Sequence, residues 1–135
     1  MTGNDGRKKI LLVDDNEMQL TFSKMQLSEE YDVTTAMSGR EALACLFRGL
    51  VPDVIVLDIL MPDMSGWETF GRLKAISLLH AVPIVFLSSL NEEDEIKRAY
   101  EMGAVDYITK PYDAKDFQER IKKVLEKDKA AAPSL

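Results

Sequence analysis

The sequence predicts an α/β domain: a five-stranded parallel sheet, doubly wound with five helices. Short apolar runs alternate with amphipathic stretches of helical length, and the unit repeats five times. The three inner runs are apolar throughout, as strands buried on both faces must be. At 135 residues, 46% hydrophobic and 30% charged, the chain holds one domain's worth of material. It can bury a core without disulfides or structural metal.

Residues 1–8 are polar, with Gly3, Asn4, Asp5 and Gly6 offering nothing to pack, and are expected to be a flexible lead-in to a domain spanning 9–127. The first strand, Ile10 to Val13, ends in Asp14 and Asp15, and Asn16 is placed to cap the first helix. In that helix Met18, Phe22 and Met25 form a row expected to face the core. Leu20 lies off the row and reads either as an isolated exposed leucine or as a contact for a partner's helix. Tyr31 to Ala36 is the second strand, followed by a helix starting at Ser38 with Glu41 at capping-box distance. The third strand, Val54 to Leu57, runs into Asp58, then Met61 and Pro62 shape a loop and Gly66 permits a tight turn into a helix capped by Ser65 with Glu68.

The fourth strand is Ile84 to Leu87, and its helix is expected to start at Asn91 with Asp94, the charged stretch Glu92 to Lys97 forming a solvated face. Val105 to Ile108 is the fifth strand, where Tyr107 is expected to alternate outward. In the last helix Phe117, Ile121, Val124 and Leu125 make a core row, and 128–135, alanine-rich with Pro133, reads as a flexible tail or linker stub. Trp67 and Tyr112 read equally as exposed docking aromatics or as buried ones, and His80 as a surface loop residue. There is no internal repeat.

Seventeen basic against twenty-three acidic residues give a net charge of −6, which disfavours binding to nucleic acid or anionic membranes. The single Cys45 cannot form an internal disulfide and is expected to be buried and inert, in keeping with a reducing cytoplasm. Neither a signal peptide nor a membrane span is visible.

In such a sheet, ligands bind at the carboxyl ends of the strands. The residues there are Asp14 and Asp15, Asp58, Ser88 and Lys110. Three carboxylates that close would repel one another, so positive charge has to join them. Lys110 offsets one, and all-oxygen ligation favours Mg²⁺ for the rest, while the lack of a Cys or His pair speaks against zinc. A carboxylate beside Mg²⁺ and a lysine suits nucleophilic attack on phosphorus, with Ser88 donating a hydrogen bond to a phosphoryl oxygen.

From Lys9 to about Lys127 the sequence resembles the receiver domains of two-component response regulators. The resemblance rests on ILLVDDN, DVIVLDILMPDMSGWE, PIVFLSSL and GAVDYITKP, with intervals of 44, 30 and 22 residues separating Asp14, Asp58, Ser88 and Lys110. It implies a flavodoxin-like sheet of order 2-1-3-4-5 and phosphorylation of Asp58. It implies Mg²⁺ ligation by Asp15, Asp58 and the main-chain carbonyl of Leu60, with Asp14 acting through water, and a cis peptide at Lys110–Pro111. Ser88 and Tyr107 would form the switch. The implied partners are a histidine kinase or histidine phosphotransfer protein as donor and an output domain or target protein downstream. A phosphorylation-dependent homodimer is a further option, and the pathway and output stay open. Leu60 and Leu90 stand at the two positions flanking the route of attacking water, both apolar, so slow self-dephosphorylation is expected. Three other readings compete: a haloacid-dehalogenase-like phosphatase, which wants an acid where Leu60 stands; a flavodoxin-like electron carrier, whose FMN phosphate the paired aspartates would repel; and a receiver that docks partners without being phosphorylated.

Overall fold

A computed structural model describes residues 6–131, with side chains through residue 127. The strands are β1 (Lys9–Val13), β2 (Asp32–Ala36), β3 (Val54–Leu57), β4 (Ile84–Ser88) and β5 (Asp106–Thr109). Helices α1 (Glu17–Leu27), α2 (Gly39–Phe47), α3 (Gly66–Lys74), α4 (Glu93–Met102) and α5 (Ala114–Ala131) alternate with them, with a 3₁₀ turn at Ser77–Leu79. All strand pairs are parallel and the order is β2-β1-β3-β4-β5, as the resemblance implied.

Period-two alternation divides the strand side chains between two cores. Leu11, Val13, Ile55, Leu57, Ile84, Phe86 and Tyr107 meet α2, α3 and α4 through Ala42, Phe70, Leu73 and Ala99. On the other face Ile10, Leu12, Val54, Val56, Val85, Leu87 and Ile108 meet α1 and α5 through Leu20, Leu27, Phe117, Ile121 and Leu125. The α5 row is therefore the expected one, with Val124 half-buried beside it.

Caps at Asn16, Ser38 and Ser65 form as expected, each side-chain oxygen accepting from the amide three residues on. Glu41 reaches back to the Met37 amide, one residue before the cap. The fourth helix differs: Glu92, not Asn91, is the N-cap and makes no side-chain bond. Its first turn holds Glu93, Asp94 and Glu95, whose charges favour the positive end of the helix dipole without a cap. Along the expected solvated stretch, Ile96 packs against the core.

Several sequence expectations are corrected. The row Met18, Phe22, Met25 faces solvent, with Met18 80% exposed, while Leu20 is 5% exposed and packs inward with Ser23 and Leu27. Both rows have helical spacing, and the serine in the middle of the inward one disguised it. β5 starts one residue late, at Asp106: Val105, two residues past the Gly103 C-cap of α4 (φ 114°), is 49% exposed although its amide already donates to Ile84 O. Cys45 is half-buried rather than buried. His80 is exposed, after the 3₁₀ turn, as expected. Helix α5 continues to Ala131, past the expected boundary at 127. At the other end Arg7, inside the expected lead-in, donates to the carbonyls of Ser28 and Tyr31. The expectations for residues 1–5 and 132–135 lie outside the described residues.

Candidate functional site

The sheet ladder extends one residue beyond three strands and so fixes the acidic site. Asp14 N donates to Ala36 O, Asp58 N to Val13 O and Lys110 N to Ser88 O. Asp14, Asp58, Ser88 and Lys110 thereby converge at the carboxyl edge, with Asp15 beside them. One carboxylate oxygen each from Asp14, Asp15 and Asp58 lies within 4.8 Å of the others. Asp14 and Asp58 are buried and Asp15 is exposed, so the cluster opens to solvent on one side. Lys110 Nζ lies 2.6 Å from Asp14 Oδ2 and 3.4 Å from Asp58 Oδ2, and the Lys110–Pro111 peptide is cis.

Backbone amides complete the frame. Asn16 N donates to Asp14 Oδ1 at 3.0 Å, and Leu60 N to Asp58 Oδ1 at 3.3 Å. Gly66 differs from its expected role as a turn residue, since its φ is not left-handed. A Cβ there would fall 2.2 Å from Asp58 O and 2.5 Å from Ile59 Cα, so the missing side chain lets α3 start against the backbone of the Asp58 loop. Within that loop Met61 is buried, Pro62 is exposed and Asp63 adopts φ 69° while pairing with Arg40.

Electrostatics set Asp58 apart. Burial, with the Asp14 charge adding to it, raises its pKa to about 6 against the opposing pull of Lys110, Ser88 and the Leu60 amide. Burial works against the Lys110 ammonium, but the Asp14 hydrogen bond and both aspartate charges outweigh it and hold the lysine above its ordinary value. Three carboxylates against one ammonium leave an excess of negative charge, and an oxygen-only donor set of this kind fits a hard divalent cation such as Mg²⁺.

The raised Asp58 pKa predicts a stability effect. Because the folded state binds this proton more tightly than the unfolded chain, the penalty is absent below about pH 4, grows between about pH 4 and 6, and is full above that. Asp58→Asn should therefore stabilise the metal-free chain by about 1–2 kcal/mol at pH 7 and by almost nothing at pH 4, measured by urea unfolding in chelator.

Tyr107 departs from its expected outward direction. Helices α4 and α5 cover both faces of β5, so the ring is buried against Phe86, and its hydroxyl donates to Leu90 O. Ser88 is fully buried and its Oγ accepts from Leu90 N at 3.2 Å, so both expected switch residues meet at Leu90. Trp67 and Tyr112, left open by the sequence, are both half-buried. Trp67 lies against Phe86 under the guanidinium of Arg98, 4.2 Å from the ring centroid.

Residues 10–122 match the family model of the response regulator receiver domain. The chain belongs to this family. Among curated relatives, the alkaline phosphatase synthesis transcriptional regulatory protein PhoP of Bacillus subtilis is 39% identical over 128 residues, 94% of this chain and 52% of that protein. Two-component response regulator ORR6 of Oryza sativa is 41% identical over 105 residues, 76% of this chain and 62% of that protein. The chain spans about a quarter to three-fifths of the length of the curated relatives it matches. Among solved structures, chemotaxis protein CheY4 of Vibrio cholerae superimposes with a TM-score of 0.83 at 28% identity, covering 88% of this chain and 99% of that one. A CheY-like receiver domain protein of Methanospirillum hungatei gives 0.84 at 28% identity, covering 93% and 98%. No helix among the described residues is long and apolar enough to cross a membrane.

Proposed function

We propose that this receiver domain takes a phosphoryl group onto Asp58 from a phosphohistidine donor, with Mg²⁺, and changes its surface in response. The observation that supports this most is the convergence of Asp14, Asp15 and Asp58 within 4.8 Å, with Lys110 against two of them. Asp15, Asp58 and the Leu60 carbonyl would hold Mg²⁺, with Asp14 acting through water; bound there, the ion would neutralise excess acid and counter charge on the phosphoryl oxygens. A carboxylate oxygen of Asp58 bonds to phosphorus as the bond from phosphorus to the donor's nitrogen breaks, and the electron pair leaves with that nitrogen. Lys110 supplies a fixed positive charge at those oxygens, and the Ser88 hydroxyl gives one of them a hydrogen bond. Leaving for that role, Ser88 Oγ would release Leu90 N and bias Tyr107 between two pre-existing positions, of which the buried one is described here.

On this reading the receiver is residues 9–127, with α5 running on to Ala131, and it works in the cytoplasm. The donor is a histidine kinase or phosphotransfer protein that docks on the exposed row Met18, Phe22, Met25 rather than on Leu20. The response passes to an output domain or target protein, or to a second phosphorylated copy. The domain is a phosphoacceptor rather than a classical enzyme. Leu60 stands where a haloacid-dehalogenase-like phosphatase needs its second acid, and the paired aspartates oppose an FMN phosphate. No observation favours the docking module that goes unphosphorylated.

Loading with acetyl phosphate followed by borohydride should convert Asp58 alone to homoserine in peptide mass spectra; homoserine at Asp14 or Asp15 instead contradicts the assignment. With Leu60 half exposed and Leu90 packed on the core, neither side chain can orient a water. Leu90→Glu should therefore speed phosphate loss by about 10-fold or more. Fast loss from the native chain, unchanged in the variant, would count against this.

A further inference from the structure

Five polar or charged side chains are buried among the described residues: Asp14, Asp58, Ser88, Thr69 and Ser23. The first three belong to the acidic site, and Thr69 Oγ1 donates to the carbonyl of Ser65, the N-cap of its own helix. Ser23 is the remaining one, and its partner lies 89 residues away, where its Oγ pairs with the Tyr112 hydroxyl at 2.9 Å. That hydroxyl donates in turn to Gln26 Oε1 at 2.7 Å, so it takes the Ser23 proton. The Tyr112 ring packs 4.6 Å from Phe117 and 6.1 Å from Phe22, centroid to centroid. Gln118 Nε2 adds a second tie by donating to Gln26 O at 2.7 Å.

Tyr112 follows Lys110 by two residues, in a loop held at its start by Lys110 N donating to Ser88 O and at its end by Asp113, which accepts from Asp116 N and Phe117 N. At one end of this short span the lysine ammonium meets Asp14 and Asp58; at the other the phenol is fastened to α1. Burying a serine in an otherwise apolar row costs stability unless it is hydrogen-bonded. The hydroxyl of Tyr112 meets that need, whereas a ring alone would serve packing against Phe117. The hydroxyl therefore has a role separable from the ring.

Resting on the phosphoacceptor reading, we propose that Tyr112 is a positioning residue for phosphoryl transfer: its hydroxyl bonds to Ser23 and Gln26 hold the loop to α1 and so set where the Lys110 ammonium stands. Phe22, on the exposed row given above to the donor, touches the same ring, so a docked partner bears directly on the loop that carries the lysine.

The test compares native chain, Tyr112→Phe, Ser23→Ala, and Tyr112→Phe in a Lys110→Ala background, all with Mg²⁺, by the rate of phosphoryl uptake from acetyl phosphate and by urea unfolding. Tyr112→Phe should slow uptake about 3–10-fold, Ser23→Ala, which leaves the bond to Gln26, should slow it by no more than that, and a Ser23→Ala/Tyr112→Phe double variant should be no slower than Tyr112→Phe alone. Without Lys110, Tyr112→Phe should change nothing, a result that a merely structural role would not give. Gln26→Met, which removes one of the two hydroxyl bonds and keeps the ring, should slow uptake in the same Lys110-dependent way should Tyr112→Phe fail to fold. Native uptake in Tyr112→Phe, or equal slowing with and without Lys110, overturns the proposal alone. A native chain that takes up no phosphoryl group overturns it together with the phosphoacceptor reading.

Discussion

Replacing Lys110 with alanine is expected to slow phosphoryl uptake from acetyl phosphate by about 100-fold while leaving Asp58 able to react. The ammonium is the only side-chain cation against the acidic cluster among the described residues, 2.6 Å from Asp14 and 3.4 Å from Asp58. Charge on the phosphoryl oxygens rises during transfer, and a fixed ammonium opposes it without reorganising. Its side chain is only 14% exposed, so bulk water does not replace it. Removal also leaves two buried carboxylates unpaired, so the metal-free variant should unfold at lower urea than the native chain. Initial rates at fixed Mg²⁺, followed by the phosphorylated fraction in mass spectra, make the comparison. A change below about threefold would mean that the lysine balances charge in the fold and does little in the transfer.

Gly66→Ala is expected to destabilise the domain by about 3 kcal/mol and to impair the site along with the fold. The added carbon would meet the Asp58–Ile59 backbone, 2.2 Å from Asp58 O and 2.5 Å from Ile59 Cα, with no flexible side chain to give way. Relief requires either α3 or the Asp58 loop to move, and Gly66 N also donates to Ile59 O at 2.8 Å. Urea unfolding checks the first part, and Mg²⁺-induced stabilisation should fall in the same variant. A variant as stable as native would show that the contact relaxes at little cost.

The acidic site was legible in the sequence because parallel strands end at one edge, and aspartate, serine or lysine after an apolar run is easily seen. The ladder bonds of Asp14, Asp58 and Lys110 turn that linear sign into proximity. The orientation of α1 was less legible: its inward row contains Ser23, whose hydroxyl is acceptable only because Tyr112 meets it from the far end of the chain. Tyr107 was misjudged because alternation says which face a side chain takes but not what covers that face, and here Ile96 and Ala99 of α4 lie in the same cluster as its ring. Gly66 was recognised as special, yet what it touches depends on how α3 enters, which no local pattern encodes.

Intact mass after incubation with acetyl phosphate, with and without Mg²⁺, for the native chain and Asp58→Asn, tests the central claim most directly. The account predicts a single phosphoryl adduct on the native chain that requires Mg²⁺ and is absent from the variant. A folded native chain that binds Mg²⁺ and gains no adduct, or an Asp58→Asn chain that gains the same one, would contradict it.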